Sequence, residues 1–557
     1  MKFGRAYYLA TAGLGIASGT TQCGNTPSTR STWCDYSIDT DYYSVVPDTG
    51  VTREYYLQIT NAEIAPDGYS RPAMLINGSM PGPTLMADWG DTVVVHVANN
   101  LTSSTNGTSI HFHGIRQNYT NPNDGVVSVT QCPTPPGDSM TYKWRATQYG
   151  STWYHSHFGI QTWEGVFGGL VINGPATANY DEDKGIIFLS DWSHQTANQL
   201  FVSTAEVTGP PTMDNGLING TNTYTSSSNV TTGSRFNTSF TAGTSYRLRI
   251  VNTAIDSLFK FSIDNHTLTV IANDLVPIKP YETTVLSIGI AQRYDVIVKA
   301  DQSSVASNFW MRAIPQLSCS SNNNTDNIKG IVYYGDSPST PTTTGYSYTD
   351  NCNDEDASDL VPYLSTTVSS AHYNTLQNVS VGYNSDNLFR WYLNNSTMIV
   401  ERNNPTLLQV YNNDTSFSSN SNVFMLPENQ WTYVVIETSE NVSHPIHLHG
   451  HDFHILAQGN GTYDSSDISS LTNPPRRDTA MLPATGYLVV AFQSNNPGAW
   501  LMHCHIGWHI SEGLALQFVE QYSEIDSLID YSTLNSTCSA WNAYEAQNPE
   551  SDNTSGI

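Results

Sequence analysis

Short runs of alternating or continuous apolar residues recur along the chain, and clusters of Gly, Pro, Asn and Ser separate them. Runs of this length are typical of β-strands, whose side chains alternate between two faces. Long stretches with a helical period are nearly absent. The pattern therefore predicts an all-β protein built from several sandwiches or barrels. Clear examples of such runs are Asp91–Val97, Tyr246–Val251, Tyr294–Lys299 and Trp431–Glu437.

Two pieces of sequence near the ends of the chain repeat each other. The run HSH at 155–157 resembles the run HCH at 503–505, and a Glu-Gly pair follows both runs at the same distance. Likewise, IHFHG at 110–114 resembles IHLHG at 446–450. We therefore expect the first and last domains to be copies of one β unit. The middle section has strand patterns but no His-x-His pair, and we interpret it as a spacer domain.

The length of the chain also predicts several domains, because 557 residues are too many for a single hydrophobic core. We expect domains at 21–177, 178–350 and 351–557. The polar, Thr/Ser/Pro-rich residues 337–375 are predicted to form a linker.

In residues 1–20, basic residues come first, then a modest apolar run, then small residues, an order that fits a secretory signal or its remnant. A disordered tail is the alternative.

Composition restricts the possible partners. Charged residues make up only 13% of the chain, and the net charge is −27. A polyanionic surface disfavours nucleic acids and anionic membranes, and no later stretch of sequence is long and apolar enough to span a bilayer. N-glycosylation sequons recur, and their density indicates a secreted glycoprotein. Examples are Asn100, Asn237, Asn378 and Asn441.

The chain has an odd number of cysteines, seven. Cys504 is expected to remain unpaired, because potential metal ligands flank it on both sides. The other six suffice for three disulfides, which fit an oxidising compartment, and the sequence leaves their pairing open. These six are Cys23, Cys34, Cys132, Cys319, Cys352 and Cys538.

The run His503-Cys504-His505, followed by His509 and Leu514, carries the most chemical information. In a strand, Cys504 faces one way and its two neighbours face the other. One short peptide would then contact two metal centres and join them covalently, an arrangement suited to electron transfer. An inert buried thiol is the alternative for Cys504.

Four His-x-His pairs occur, two in each copy of the repeat. Residues i and i+2 share one face of a strand, so each pair presents two imidazoles together. A single pair carries little information, whereas four pairs in matching copies predict a polynuclear site, for which imidazole favours copper. The pairs are His111/His113, His155/His157, His447/His449 and His503/His505.

A second, mononuclear centre is predicted at His444, Cys504 and His509. Two imidazoles and one thiolate with a weak axial neighbour define a blue-copper site, and Leu514 falls at the axial position. Because leucine cannot coordinate, we expect a raised reduction potential. Zinc competes for the same ligand types, but it is redox-inert and gives no reason for a thiolate that joins two centres.

Together these motifs closely resemble the multicopper oxidases, and within them the laccases of ascomycete fungi. The runs HFHG, YHSHFG, HPIHLHGHDFH and HCHIGWHISEGL occur in the family's order, and the resemblance covers essentially the whole chain. It implies three cupredoxin-like Greek-key β-barrel domains with one type 1 copper, one type 2 copper and a type 3 pair. The first and third domains would each supply half of the trinuclear cluster, and the third would hold the type 1 copper.

The family's ligand pattern carries over to this chain motif by motif. In that pattern Cys504 passes electrons to His503 and His505. The middle domain would contribute part of the substrate pocket. The implied ligands are His444, Cys504 and His509 for type 1, His111 and His447 for type 2, and His113/His155/His505 and His157/His449/His503 for the type 3 pair.

Two acidic residues match family positions with roles in the reaction. Asp124 would assist proton delivery to oxygen, although an ordinary Asn-Asp-Gly turn explains it equally well. Asp256 would line the phenol pocket beside the type 1 copper and accept the phenol proton, with a solvated loop Asp as the alternative. The family also suggests the disulfides Cys23–Cys34, Cys132–Cys538 and Cys319–Cys352.

Two positions depart from the family pattern. Ascomycete laccases often end in an Asp-Ser-Gly-aliphatic tail that plugs the oxygen channel, whereas this chain ends in TSGI at 554–557, without the acidic residue. Gly507 lies where some relatives carry Asp, so we expect the proton supply to differ in detail.

The resulting hypothesis is a secreted, monomeric laccase that oxidises phenols and aromatic amines and reduces dioxygen to water. A soluble ferroxidase or another multicopper oxidase is the alternative. Leu514 disfavours ascorbate and bilirubin oxidases, which usually carry an axial methionine. A non-enzymatic copper carrier or electron-transfer protein would need only the mononuclear site, so the four His-x-His pairs disfavour that function.

Overall fold

A computed structural model describes residues 24–102 and 107–549 of the chain. The predicted signal segment 1–20, Cys23 of one predicted disulfide, and the C-terminal residues 554–557 lie outside the described residues. Strands dominate the described chain, which confirms the all-β prediction. The four strand runs predicted above lie in four separate strands: Thr92–Asn99, Ser245–Asn252, Arg293–Lys299 and Trp431–Thr438.

The first part of the chain forms two four-stranded sheets, β4-β3-β6-β8 and β5-β10-β9-β7, after a small hairpin of β1 and β2. Strand β6 shows why these residues form a sheet, because Val93, Val95 and Val97 alternate with more exposed residues and enter the core between the two sheets. The strands are β1 (Thr32–Trp33), β2 (Tyr36–Ser37), β3 (Thr52–Ile64), β4 (Arg71–Ile76), β5 (Gly82–Asp88), β6 (Thr92–Asn99), β7 (His111–Phe112), β8 (Ser139–Arg145), β9 (Gly150–His155) and β10 (Phe167–Asn173).

The middle part contains a six-stranded sheet, β12-β11-β16-β21-β18-β19, a five-stranded sheet, β15-β23-β22-β17-β20, and the hairpin β13-β14. Its strands are β11 (Glu182–Trp192), β12 (Asn215–Ile218), β13 (Thr223–Thr225), β14 (Thr231–Gly233), β15 (Asn237–Phe240), β16 (Ser245–Asn252), β17 (Phe259–Ile263), β18 (Leu268–Asn273), β19 (Val276–Thr283), β20 (Leu286–Ile288), β21 (Arg293–Lys299), β22 (Asn308–Pro315) and β23 (Lys329–Tyr334). Residues 337–371 then contain no strand or helix, so the predicted linker 337–375 is four residues too long: β24 (His372–Tyr383) already begins at His372, where its main chain pairs with β27 (Trp431–Thr438).

The last part repeats this plan with the sheets β25-β24-β27-β32-β29-β30 and β26-β34-β33-β28-β31. One hydrophobic core extends from the middle part into the last part, so the two pack together directly. The strands are β24 (His372–Tyr383), β25 (Phe389–Leu393), β26 (Val423–Met425), β27 (Trp431–Thr438), β28 (His444–Leu448), β29 (Phe453–Asn460), β30 (Arg476–Arg477), β31 (Thr479–Leu482), β32 (Gly486–Gln493), β33 (Gly498–Cys504) and β34 (Ala515–Glu520).

Most helices are single turns, and no helix among the described residues is both long and apolar enough to cross a membrane. The exception in length is the last helix, which we did not predict although Leu534, Cys538 and Trp541 follow a helical spacing. This helix packs against the rest of the protein through these three buried residues. The α-helices are α1 (Gln161–Glu164), α2 (Ala197–Leu200), α3 (Glu206–Thr208), α4 (Thr406–Tyr411), α5 (Gly507–Ser511), α6 (Tyr522–Ile525) and α7 (Tyr531–Glu545).

The two sequence repeats share one strand register. In the first part, β7 pairs with β9 so that His111 lies opposite His155. In the last part, β28 pairs with β33 so that His447 lies opposite His503. The second His of each pair lies just beyond the end of its strand. The repeat seen in the sequence is therefore a repeat of backbone structure, and each copy presents its imidazoles at strand ends.

Of the three disulfides suggested by the family, the two that lie wholly within the described residues are present. Cys132 is bonded to Cys538, which ties α7 to the first part of the chain, and Cys319 is bonded to Cys352. Among the described residues Cys504 is the free cysteine, and it is buried, as predicted.

Replacing both Cys132 and Cys538 by Ser is expected to destabilise the protein by about 2–5 kcal/mol, because this disulfide restricts a very long loop of the unfolded chain. The bonded residues are 406 apart in sequence, against 33 for the control pair Cys319→Ser with Cys352→Ser. Thermal unfolding measures both variants. A midpoint that falls no further than in the control would contradict the prediction.

Candidate metal centres

The smaller centre brings together His444 from β28, Cys504 at the end of β33 and His509 from α5. The two Nδ1 atoms lie 3.1 Å apart, and Cys504 Sγ lies 3.7 Å from that of His444 and 3.5 Å from that of His509. Nitrogen and sulfur ligands lie about 2.0 and 2.3 Å from a bound metal ion. Three such ligands around one ion are then roughly 3–4 Å apart, so the observed triangle fits a metal ion at its centre.

Apolar groups enclose this triangle. The Trp391 ring lies 4.4 Å from the His509 ring and 4.7 Å from the His444 ring, measured between centroids. Leu514 closes the loop that follows His509: its N–H donates to His509 O, and its carbonyl accepts the N–H of Cys504. The predicted axial position therefore carries a buried residue whose side chain has no donor atom.

The larger centre lies where the first and last parts of the chain face each other. Eight imidazoles from the four His-x-His pairs meet there, in groups whose ring nitrogens lie within 4.8 Å of one another. Each group combines residues from both parts, so neither copy of the repeat builds the site alone. The groups are His111/His113/His447, His113/His155/His505 and His157/His449/His503.

For two of these rings, His111 and His447, the protein holds one nitrogen and leaves the other without a partner. His111 Nδ1 donates to the main-chain oxygen of Asp124 at 2.8 Å, and His447 Nδ1 donates to that of Asp478 at 2.8 Å. The Nε2 atoms of both rings are buried and have no hydrogen-bond partner among the described residues. Because an unsatisfied buried polar atom is costly, a metal ion at the centre fits this arrangement.

Burial sets the protonation of the donors. It lowers the pKa of His444 and His503 to about 3, because the charged imidazolium would be desolvated. Burial, reinforced by the neighbouring imidazoles, also lowers the pKa of His447 well below its usual value. In contrast, burial raises the pKa of the Cys504 thiol, so the thiolate needs a metal cation beside it. Neutral imidazoles and a metal-induced thiolate are the forms that bind copper.

Asp124 is a buried neighbour of the larger centre. Its Oδ2 accepts a hydrogen bond from His449 Nδ1 at 2.9 Å, and its Oδ1 lies 3.2 Å from His111 Nδ1. It also ends the short 3-10 turn Asn121–Asn123, so the turn expected from the sequence exists as well. The turn aims the carboxylate at the imidazoles.

Asp256 lies in the loop after β16 and is only 5% exposed, which does not fit the alternative of a solvated loop residue. The carboxylate of Asp191 accepts the main-chain N–H groups of Ile255, Asp256 and Ser257 at 2.8–3.0 Å and so fixes this loop. Burial raises the pKa of Asp256 well above its usual value, and the nearby charge of Asp191 raises it further.

The Asp256 loop is connected to the mononuclear centre through the main chain. The N–H of Gly507 donates to Ile255 O at 2.8 Å, and Gly507 begins the helix α5 that carries His509. A Cβ on Gly507 would lie 2.5 Å from Ile255 Cγ1 and 2.6 Å from the ring of Trp163. This position therefore has no room for the Asp that some relatives carry.

Sequence reasoning missed several residues that support these centres. Asp478 and Trp391 contact imidazoles of the donor groups directly. Arg293 contacts one of these imidazoles through Asp478. Asp191 fixes the loop of Asp256. Only Asp478 had a visible signal, since it ends a run of three charged residues in a chain with few charges. Six histidines lie outside the donor groups. Two of them come from the same sequence run as His447 and His449: His451 pairs with Glu520, and His454 Nε2 with Thr366 Oγ1.

Comparison with known proteins agrees with this geometry. Three family models, each described as "Multicopper oxidase", match residues 58–177, 183–336 and 389–524. The chain belongs to the multicopper oxidases. Copper is accordingly the metal of these centres, whose donors fit it.

Similar members of the family come mainly from fungi. Laccase-2 of Botryotinia fuckeliana is 49% identical over 97% of this chain and 94% of its own length. The crystal structure of the laccase from Botrytis aclada has a TM-score of 0.91 and 48% identity, covering 96% of this multicopper oxidase and all of that chain. Fet3p, described as a multicopper oxidase that functions in iron import, has a TM-score of 0.80 and 27% identity, with coverage of 88% and 95%.

Gly507→Ala is expected to displace α5 and with it His509, because the added methyl group would overlap Ile255 and Trp163. The blue absorption and electron paramagnetic resonance signal of the mononuclear copper should change, and the thermal midpoint should fall. Gly382→Ala in β24 is the matched control, since its Cβ would meet only a Tyr392 ring atom at 3.7 Å. An unchanged copper signal in Gly507→Ala would contradict the expectation.

Proposed function

We propose that this multicopper oxidase is a laccase, which oxidises phenols and aromatic amines one electron at a time and reduces dioxygen to water. The main support is the covalent link between the two centres: Cys504 belongs to the mononuclear group, and its neighbours His503 and His505 belong to the larger one. Relatives with 48–49% identity over nearly the whole chain carry the name laccase.

The proposed ligand assignment follows the donor groups. His444, Cys504 and His509 would hold the type 1 copper, with Leu514 at its axial position. The remaining donors would hold the trinuclear cluster: His111 and His447 the type 2 copper, His113, His155 and His505 one type 3 copper, and His157, His449 and His503 the other. Bound copper supplies the one-electron redox steps and the four-electron reduction of dioxygen.

His509 is the proposed entry point for electrons. It is 4% exposed, whereas His444 and Cys504 are fully buried, so a substrate approaching this centre meets His509 first. From there Cys504 and the adjoining peptide bonds provide a short covalent route to His503 and His505. Leu514 adds no donor atom and is expected to keep the reduction potential high.

Two carboxylates are proposed to handle protons. A phenol becomes a much stronger acid when it loses an electron, and Asp256 would accept that proton as a general base. Its raised pKa increases its affinity for the proton. Asp124, hydrogen-bonded to His449, would hold or deliver a proton on the oxygen-reducing side.

An organic reductant fits this pocket better than Fe(II). A ferroxidase must take a hydrated metal ion from water, for which exposed carboxylates are suited. The carboxylates near the mononuclear centre are all buried: Asp256 is 5% exposed, Asp191 6%, Glu206 8% and Glu512 2%. The similarity to Fet3p nevertheless makes Fe(II) the alternative substrate to measure.

The protein is further proposed to be secreted and monomeric. The two disulfides fit an oxidising compartment. The four sequon asparagines named above are all exposed, as attachment of a glycan requires. A single chain provides every donor atom of both centres, so no second copy is needed to complete them.

Oxygen uptake by the copper-loaded protein with a methoxyphenol tests the function. We expect rapid uptake with no oxygen returned by added catalase, since dioxygen is reduced fully to water.

Cys504→Ser is expected to abolish the blue colour and the uptake while the fold and the other copper ions are retained. Uptake with Fe(II) but not with the phenol would replace the laccase by a ferroxidase, and retained oxidase activity in Cys504→Ser would refute the electron route.

Asp256→Asn is expected to lower kcat/KM for the methoxyphenol by about a hundredfold or more, the usual contribution of a general base. Because the base must be ionised, wild-type activity should rise as the pH rises through the raised pKa of Asp256, and this rise should be absent in the variant. Ferrocyanide, which donates an electron without a proton, is the control substrate. An equal loss with both donors would show that Asp256 has only a structural role.

A further inference from the structure

Arg293 connects the middle part of the chain to the larger metal centre. It begins strand β21 and is fully buried. Its Nη1 and Nη2 atoms donate to Oδ1 and Oδ2 of Asp478, both at 2.6 Å. A planar guanidinium that binds both oxygens of a carboxylate fixes its orientation as well as its position.

Asp478 in turn holds two imidazoles of the larger centre. Its Oδ1 lies 3.2 Å from His113 Nε2, and its main-chain oxygen accepts the hydrogen bond from His447 Nδ1. The two rings stack at 3.9 Å with an angle of 19° between their planes. The free nitrogens, His113 Nδ1 and His447 Nε2, are buried without hydrogen-bond partners among the described residues.

The glycine of the first His-x-His-Gly run makes room for this ion pair. A Cβ on Gly114 would lie 2.3 Å from Asp478 Oδ2 and 2.5 Å from Arg293 Nη2. In the other copy of the repeat, the space beside Gly450 is filled by the ring of Trp500. The ion pair therefore packs directly against the backbone that follows His113, and only one copy of the repeat has this arrangement.

We propose that Arg293 is a positioning residue of the trinuclear cluster. Through the Asp478 carboxylate it fixes the ring of His113, and its positive charge offsets the carboxylate's negative charge beside the copper ions. The inference rests on the ligand roles proposed above for His113 and His447. The middle domain then helps to build the oxygen-reducing site and is more than a spacer.

Two physical effects make the pair important. A carboxylate that accepts the outer N–H of a ligand imidazole orients the ring and strengthens it as a donor. Charges interact strongly in a buried site, so the charges of Arg293 and Asp478 affect the reduction potential of the cluster. Loss of the arginine charge should lower the cluster's reduction potential, and loss of the carboxylate charge should raise it.

Arg293→Lys in the full-length, copper-loaded protein tests the proposal, because lysine keeps the charge but cannot bind both carboxylate oxygens. We expect an unchanged blue absorption and an unchanged rate of copper reduction by the phenol. Reoxidation by dioxygen should slow by about tenfold to a hundredfold, or the affinity of the cluster for copper should fall by a similar factor. Losses of this size are usual when a residue that supports a metal ligand is replaced. Altered type 2 resonance and type 3 near-ultraviolet absorption should accompany either effect.

Arg477→Lys is the matched control. Arg477 is equally buried and lies in the same ionic network, where it pairs with Asp274 and Asp354, but it has no contact with a ligand imidazole. If both variants show the same cluster spectra and the same reoxidation rate, the ion pair is only structural and the proposal is overturned.

Two further variants keep the test decisive if Arg293→Lys does not fold. Arg293→Met combined with Asp478→Leu replaces the buried pair by apolar groups of similar size, a change that folds tolerate. Asp478→Asn removes only the carboxylate charge. A raised cluster potential in Asp478→Asn and a disturbed type 2 signal in the double variant support the proposal, and wild-type values in both overturn it. If wild-type protein itself lacks copper or oxygen uptake, the proposed function fails instead.

Discussion

A buried imidazole has two ring nitrogens to satisfy, and this requirement shapes the larger metal centre. In six of its eight rings the protein partners one nitrogen, either with a main-chain oxygen of Asp124, Asp478, Cys504 or Ser156 or with the carboxylate of Asp124 or Asp478. The inner nitrogens are left for copper. Because burial lowers the pKa of rings such as His447 and His503, these imidazoles are neutral and can bind a cation without first losing a proton. The ring orientations are thus set by the fold itself.

The same requirement explains why two copies of one β unit are needed. A strand end can present two imidazoles, whereas each three-nitrogen group combines strand ends from both copies. The shared register, with His111 opposite His155 and His447 opposite His503, lets the two copies meet with matching geometry. The copies then differ in detail: one keeps Cys504 and His509 for the mononuclear centre, and the other has Ser156 and Gln161 at those positions.

The middle part of the chain acts on both centres without contributing a ligand. Asp191 fixes the loop of Asp256 near the mononuclear centre, and Arg293 holds the carboxylate that faces His113. Both effects depend on buried charges with several hydrogen bonds, whose removal leaves an uncompensated group. Both metal centres are in this way supported by the middle part of the chain.

The sequence by itself determined the all-β class, the internal repeat, the histidines and cysteine of the donor groups, and the unpaired state of Cys504. Strand periodicity and His-x-His spacing are local properties, so they can be read without the tertiary structure. Through a resemblance to known motifs the sequence also predicted roles for Asp124 and Asp256, and those roles stay predictions. We did not predict α7, although its buried residues Leu534, Cys538 and Trp541 follow a helical spacing. The sequence did not indicate the roles of Asp478, Arg293 and Trp391. Those roles arise from contacts such as Arg293 with Asp478, 185 residues apart, and only the packing of three domains decides which distant charges and rings meet.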